Sequence, residues 1–240
     1  MVGDSLTAGF YAGGSKFAPP AATLQKLLDK ECGKGKHTVQ ASSSCGETAV
    51  SMAKRKVIDP QFAKRDPPRV VVILGGTNDL RAWPVISVDE ILEALATLAA
   101  AAAAGGAAPL LLTVPRMPAS EDRAAALTAR RLELNGRLRD DERFATADVA
   151  RAFEDAGDLF DADGLHLTPR GYATLAEELF PALRAAQKTK RKPRTYLRTR
   201  TRPSAGSSTM SAMALRMPLS SSLFAGVSLR RLLYLSLIHI

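Results

Sequence analysis

Val70-Val71-Val72-Ile73-Leu74-Gly75-Gly76-Thr77-Asn78-Asp79 decides the architecture. Five apolar, mostly β-branched residues without polar alternation read as a strand buried on both faces, the pattern of a parallel sheet. Two glycines end the run, and a polar Thr-Asn-Asp follows at the strand's C-terminal end. In open parallel sheets that is the end where ligands bind. A plain strand-ending turn also suits this composition.

Helical and strand patterns alternate on both sides of this segment. Upstream, Leu24, Leu27 and Leu28 stand at helical spacing after Pro19-Pro20, residues 38–41 read as a short strand, and a helix follows Gly46 through Met52. Downstream, Ser87-Val88-Asp89-Glu90 matches a capping box, with Ile91, Leu95 and Leu98 as the apolar stripe behind it. Gly105-Gly106 stops that helix, and residues 110–114 form the next buried strand. Ser120 caps a helix carrying Leu127, Leu134 and Leu138, and residues 144–149 read as a short strand. Thr168 and Pro169 start the last helix, whose buried face is Leu175, Leu179 and Leu183. Strands alternating with helices give an α/β sandwich on a parallel sheet.

The chain has 240 residues and a formal charge of +9, but the charge is unevenly placed. Residues 186–240 carry eleven of the 33 Lys and Arg and none of the 24 Asp and Glu, so residues 1–185 are slightly acidic. The expected organisation is therefore one domain over residues 1–185 and a basic, disordered tail over 186–240. Residues 217–229 are uncharged but too short to span a bilayer. Leu235-Ser236-Leu237-Ile238-His239-Ile240 resembles translated sequencing-adapter sequence, which makes part of the tail non-native on this reading. A basic targeting or anchoring arm is the alternative. Cys32 and Cys45 match no zinc or redox spacing and read as two free buried thiols, a disulfide between them being the alternative. No signal peptide is visible at the start, so the sequence assigns no compartment.

Three further segments carry chemistry: Gly3-Asp4-Ser5-Leu6-Thr7, the isolated Gly46, and Asp163-Gly164-Leu165-His166. A serine hydroxyl needs a base to take its proton. Of the three histidines, His239 lies in the suspect terminus and His37 in a Lys-rich surface segment, which leaves His166. Asp163, three residues earlier, is spaced to orient the imidazole, with Asp161 as a rival. Gly46 can offer a bare backbone N–H and Asn78 a side-chain amide to a developing oxyanion. Asp79 either braces its loop or is an exposed carboxylate. Alone, GDS is an ordinary helix cap. Trp83, Phe10 and Tyr11 stand near these blocks, Trp83 read first as a packing residue and second as a ligand platform. Arg116 and Met117 face the same side and receive no role.

The four blocks, in this order, resemble those of SGNH hydrolases, the GDSL-type esterases and lipases, over Gly3 to about Leu183. The resemblance implies a flavodoxin-like three-layer α/β/α sandwich. It implies Ser5, Asp163 and His166 as catalytic triad, and the Ser5 N–H, Gly46 N–H and Asn78 side chain as oxyanion hole. It implies ester hydrolysis through an acyl-enzyme on a small-molecule ester, with no cofactor and no metal. Acyl transfer by the same residues is the alternative within the class. Outside it stands a non-catalytic homologue binding RNA or anionic lipid through the basic tail, although no nucleic acid is expected for the domain itself. Only Met1 and Val2 precede Gly3, so the first strand is expected to be cut short.

Overall fold

The computed structural model describes residues 1–188 apart from Arg65 and Ala119. In chain order it contains β1 (Val2–Gly3), α1 (Ser5–Ala8), β2 (Phe10–Tyr11), β3 (Lys16–Phe17), α2 (Pro20–Cys32), β4 (Ser42–Ser43) and α3 (Ala49–Lys54). There follow α4 (Asp59–Phe62), β5 (Val70–Leu74), α5 (Thr77–Arg81), α6 (Val88–Ala104), β6 (Ala108–Leu112), α7 (Glu121–Asp140), β7 (Ala145–Ala147) and α8 (Pro169–Lys188). The main sheet is parallel, in the order β4-β1-β5-β6-β7. Counting only its own strands along the chain, this is 2-1-3-4-5, the flavodoxin-like order.

The apolar run at Val70–Leu74 explains the layers. Successive side chains of a strand point to opposite faces. Val71 and Ile73 enter a core with Met52 of α3, Ile91, Leu95 and Leu98 of α6, and Leu134 and Leu138 of α7. Val72 and Leu74 enter the other core, with Leu24 and Leu28 of α2 and Leu175, Leu179 and Leu183 of α8. A strand buried on both faces must be apolar at every position, which is why the pattern lacks alternation. Ile73 has no exposed surface, and truncating it to Ala would cost about 2–5 kcal/mol.

Helix ends follow the sequence signals. Ser87 Oγ accepts the Glu90 N–H at 3.2 Å, while the Glu90 carboxylate accepts the Ser87 N–H at 2.8 Å, closing the expected capping box on α6. Thr168 Oγ1 accepts the Gly171 N–H at 3.1 Å and opens α8. That helix runs past the expected boundary at residue 185 and buries Ala186. Among the described residues no helix is long and apolar enough to cross a membrane. The expected basic tail lies, from residue 189 on, outside the described residues.

Three expectations need correction. Residues 38–41 are irregular, and the strand falls at Ser42–Ser43 instead. Its register partner explains the shift: Ser42 pairs with Val2, so earlier residues face no strand across the gap. The strand expected over 110–114 begins and ends two residues sooner, because Ala108 already pairs with Val70. Cys32 and Cys45 are free, but neither is buried: Cys45 is exposed at a turn and Cys32 half-buried at the end of α2.

Candidate active site

The C-terminal ends of β4, β1 and β5 bring three of the four blocks to one edge of the sheet. Strand order reverses here, between β1 and β5, which makes it the switch point of the fold. Gly3 ends β1 and admits no side chain: a Cβ there would stand 2.2 Å from Thr7 Oγ1 and 2.4 Å from Leu74 O. Asp4, fully buried, caps α1 by accepting the Leu6 N–H at 2.9 Å. Ser5 is therefore the first residue of a short helix, and its own N–H meets no acceptor among the described residues.

His166 reaches Ser5 from 161 positions along the chain. Asp163 Oδ1 accepts the N–H groups of Leu165 and His166, both at 2.9 Å, which curls the loop into a tight turn. Asp163 Oδ2 then stands 2.5 Å from His166 Nδ1, and His166 Nε2 stands 3.0 Å from Ser5 Oγ. Burial pushes the Asp163 carboxyl up, but hydrogen bonds from the His166 ring and from the His166 and Leu165 N–H groups outweigh it, leaving it below the usual range. An ionised Asp163 is acceptor-only, so Nδ1 carries the proton and Nε2 faces the Ser5 hydroxyl as acceptor. Asp161, the rival, is engaged elsewhere: its carboxylate accepts the Ala12 N–H at 2.6 Å.

Gly46 lies on the turn after β4 with φ +76°, a conformation that favours glycine. A Cβ there would meet nothing, and the Gly46 N–H has no hydrogen-bond acceptor among the described residues. Asn78, on the first turn of α5, donates from Nδ2 to Glu47 O at 3.0 Å and to Asp4 Oδ2 at 3.3 Å. These bonds lock the third block to the residue after Gly46 and to the residue before Ser5. Asp79 is buried and braces the same junction, accepting the Ala49 N–H at 2.7 Å and the Val50 N–H at 3.1 Å. Of the two readings left open for Asp79, this is the bracing one. Burial raises the carboxyls of both aspartates, Asp4 to about 7.

The surroundings differ from expectation in two places. Trp83 is 83% exposed and packs on no core, contrary to its first reading. Its loop is turned outward and held by Arg130, which donates to the carbonyls of Leu80 and Ile86. Arg116, given no role, is structural: it donates to Phe153 O at 3.1 Å and lies over the Phe160 ring. Tyr172 went unread in the sequence, and its buried hydroxyl donates to Phe10 O at 2.6 Å. Nothing local in the sequence signals that bond across 162 residues. The contact of Asp4 with Asn78 was equally invisible, because a capping aspartate looks the same with or without a second partner.

A sequence model described as GDSL-like Lipase/Acylhydrolase family matches residues 1–174. Among solved structures, that of TesA is 26% identical, with a TM-score of 0.62 over 77% of this chain and 97% of the other. A lipase/acylhydrolase from Enterococcus faecalis is 20% identical, with a TM-score of 0.62 over 80% of this chain and 97% of the other. An acetyl-xylooligosaccharide esterase from Geobacillus is 18% identical, with a TM-score of 0.59 over 76% and 91%. No curated protein matches this sequence.

Proposed function

Because the chain belongs to the GDSL-like lipase/acylhydrolase family and is a carboxylic ester hydrolase, we propose that it works through Ser5, His166 and Asp163 by way of an acyl-enzyme. The observation that carries this reading is the unbroken relay Asp163–His166–Ser5, at 2.5 Å and 3.0 Å. Ser5 Oγ attacks the ester carbonyl carbon, and its proton passes to His166 Nε2. Asp163 holds the imidazole in the right tautomer and stabilises the imidazolium that forms. The carbonyl oxygen becomes an oxyanion and takes hydrogen bonds from the Ser5 N–H, the Gly46 N–H and the Asn78 amide. As the carbonyl re-forms, the C–O bond to the alcohol breaks, and His166 gives its proton to the departing alkoxide. Water then repeats the sequence on the acyl-enzyme, releasing the acid and returning Ser5.

The test is a panel of p-nitrophenyl esters and acyl-CoA thioesters on the protein and on Ser5→Ala. An organofluorophosphonate should label Ser5 stoichiometrically. Label on another residue, or esterase activity surviving in Ser5→Ala, would remove Ser5 as nucleophile. Product analysis with added alcohols separates hydrolysis from acyl transfer.

A further inference from the structure

Asp4 is a fully buried carboxyl that the acyl-enzyme route does not use. One of its oxygens suffices to cap α1, through the Leu6 N–H at 2.9 Å. The other, Oδ2, faces Asn78 Nδ2 at 3.3 Å. A primary amide has nearly the same shape when rotated by half a turn, so only its neighbours decide which end is nitrogen. At this end stand two acceptors, Asp4 Oδ2 and Glu47 O, the second at 3.0 Å. With Asp4 ionised, both admit an N–H₂ group and repel a carbonyl oxygen.

We infer that Asp4 is a positioning residue for Asn78: it holds the amide nitrogen beside the nucleophile and parks one N–H until an oxyanion forms to take it. This rests on Asn78 being an oxyanion donor. The two contacts have unequal parts. The bond to Glu47 O is the shorter and comes from fixed backbone, so it anchors the amide. The bond to Asp4 is the longer, and an N–H held at 3.3 Å is readily surrendered to a stronger acceptor arriving nearby. Asp4 thus does two things with two oxygens. It ends the strand turn that presents Ser5, and it orients a donor that serves the charge Ser5 creates.

The test uses two substitutions that keep the helix cap, since Asn and Ser both cap well. Asp4→Asn keeps the shape but turns an N–H₂ toward Asn78, so that two donors face each other. Asp4→Ser caps α1 but is too short to reach Asn78. Each should lower kcat by roughly 10- to 100-fold, less than the roughly 10²- to 10³-fold seen when an oxyanion donor is removed outright, and change KM less than about threefold. In an Asn78→Ala background, Asp4→Asn should lower kcat no further. Thermal unfolding of each variant reports whether the fold is kept, and Asp4→Ser carries the test if Asp4→Asn does not fold. Unchanged kcat in both Asp4 variants would overturn the inference, as would an equal loss with Asn78 already removed. If Asn78→Ala itself keeps full kcat, the oxyanion reading fails first, and this one with it.

Discussion

The centre of the Phe10 ring lies 4.5 Å from that of the His166 imidazole, with the ring planes tilted by 44°. Phe10 is itself clamped. Its carbonyl accepts the Tyr172 hydroxyl at 2.6 Å, and Phe17 packs edge-on at 5.8 Å from the opposite strand of the β2–β3 hairpin. At Gly14, φ is +86° and a Cβ would stand 2.6 Å from Phe10 Cζ, so only glycine leaves the ring its place. The hairpin is a wall that keeps the imidazole between Asp163 and Ser5.

Phe10→Ala should therefore let the imidazole swing and lower kcat by roughly 10- to 100-fold, the loss expected from displacing a reacting group by about 1 Å. Phe10→Tyr keeps the ring and should retain most of the rate. Steady-state kinetics on a short-chain p-nitrophenyl ester decide it. Equal rates in Phe10→Ala and the parent would make the wall irrelevant to the base.

Ser5→Ala should abolish turnover while leaving the melting temperature close to the parent's, because the hydroxyl's partner is a surface-reaching His166 rather than the core. Asp163→Asn should cost several orders of magnitude, since an amide N–H₂ donating to Nδ1 stabilises the imidazole tautomer with its proton on Nε2. It should also loosen the loop, whose Leu165 and His166 N–H groups rest on the same side chain. Rates and circular dichroism on the same preparations separate the two effects.

Stability should depend on pH through buried groups of opposite sense. Burial raises Asp4 from 3.8 to about 7, so between about pH 4 and 7 the folded protein holds a proton that the unfolded chain has released. Stability therefore falls as pH rises through that window. Asp79, also raised, acts in the same direction. Burial and nearby Lys64 lower the Met1 amine from 8.0 to about 6, so between pH 6 and 8 the unfolded chain holds the extra proton and stability rises. Urea unfolding across pH 4 to 8 should show a shallower fall in Asp4→Asn than in the parent. An identical slope would place the titration on another group.

The gap below β1 gives a fourth prediction. Val2 pairs with Ile73, so Val70–Val72 have no β1 partner on that edge, and a cavity of about 220 Å³ lies between them and residues 38–41. Leu24, Leu28 and Leu183 form part of its apolar lining. Three or four β-branched residues added before Met1 would continue the ladder and replace a buried amine with a peptide N–H. The melting temperature should rise, and the increase in stability between pH 6 and 8 should vanish. An unchanged melting temperature would mean that the added residues stay outside the slot.

The two-faced burial of Val70–Leu74 and the capping signals at Ser87 and Thr168 were legible because each is local: strand burial and helix entry are written in neighbouring residues. The chemical blocks could be read for the same reason. What escaped is non-local. The strand expected over 38–41 depended on a partner, and β1 offers pairing only from Val2 onward. Trp83 looks like a core residue by composition, yet it is exposed on a loop whose ends, Leu80 and Ile86, are tied to Arg130, far along the chain. The second contact of Asp4 and the bond between Tyr172 and Phe10 join residues 74 and 162 positions apart, and no periodicity encodes such a meeting.

Ser5 and His166 are separated by 161 positions, and the imidazole sits on the turn that leads into α8. During synthesis Ser5, Gly46 and Asn78 therefore emerge long before His166, the base of the proposed mechanism, does. The Asp163–His166 turn carries its own internal bonds and leads directly into α8, which packs on the sheet. On the proposed mechanism, a ribosome-bound chain should show no esterase activity until the Asp163–His166 turn has emerged and met Ser5.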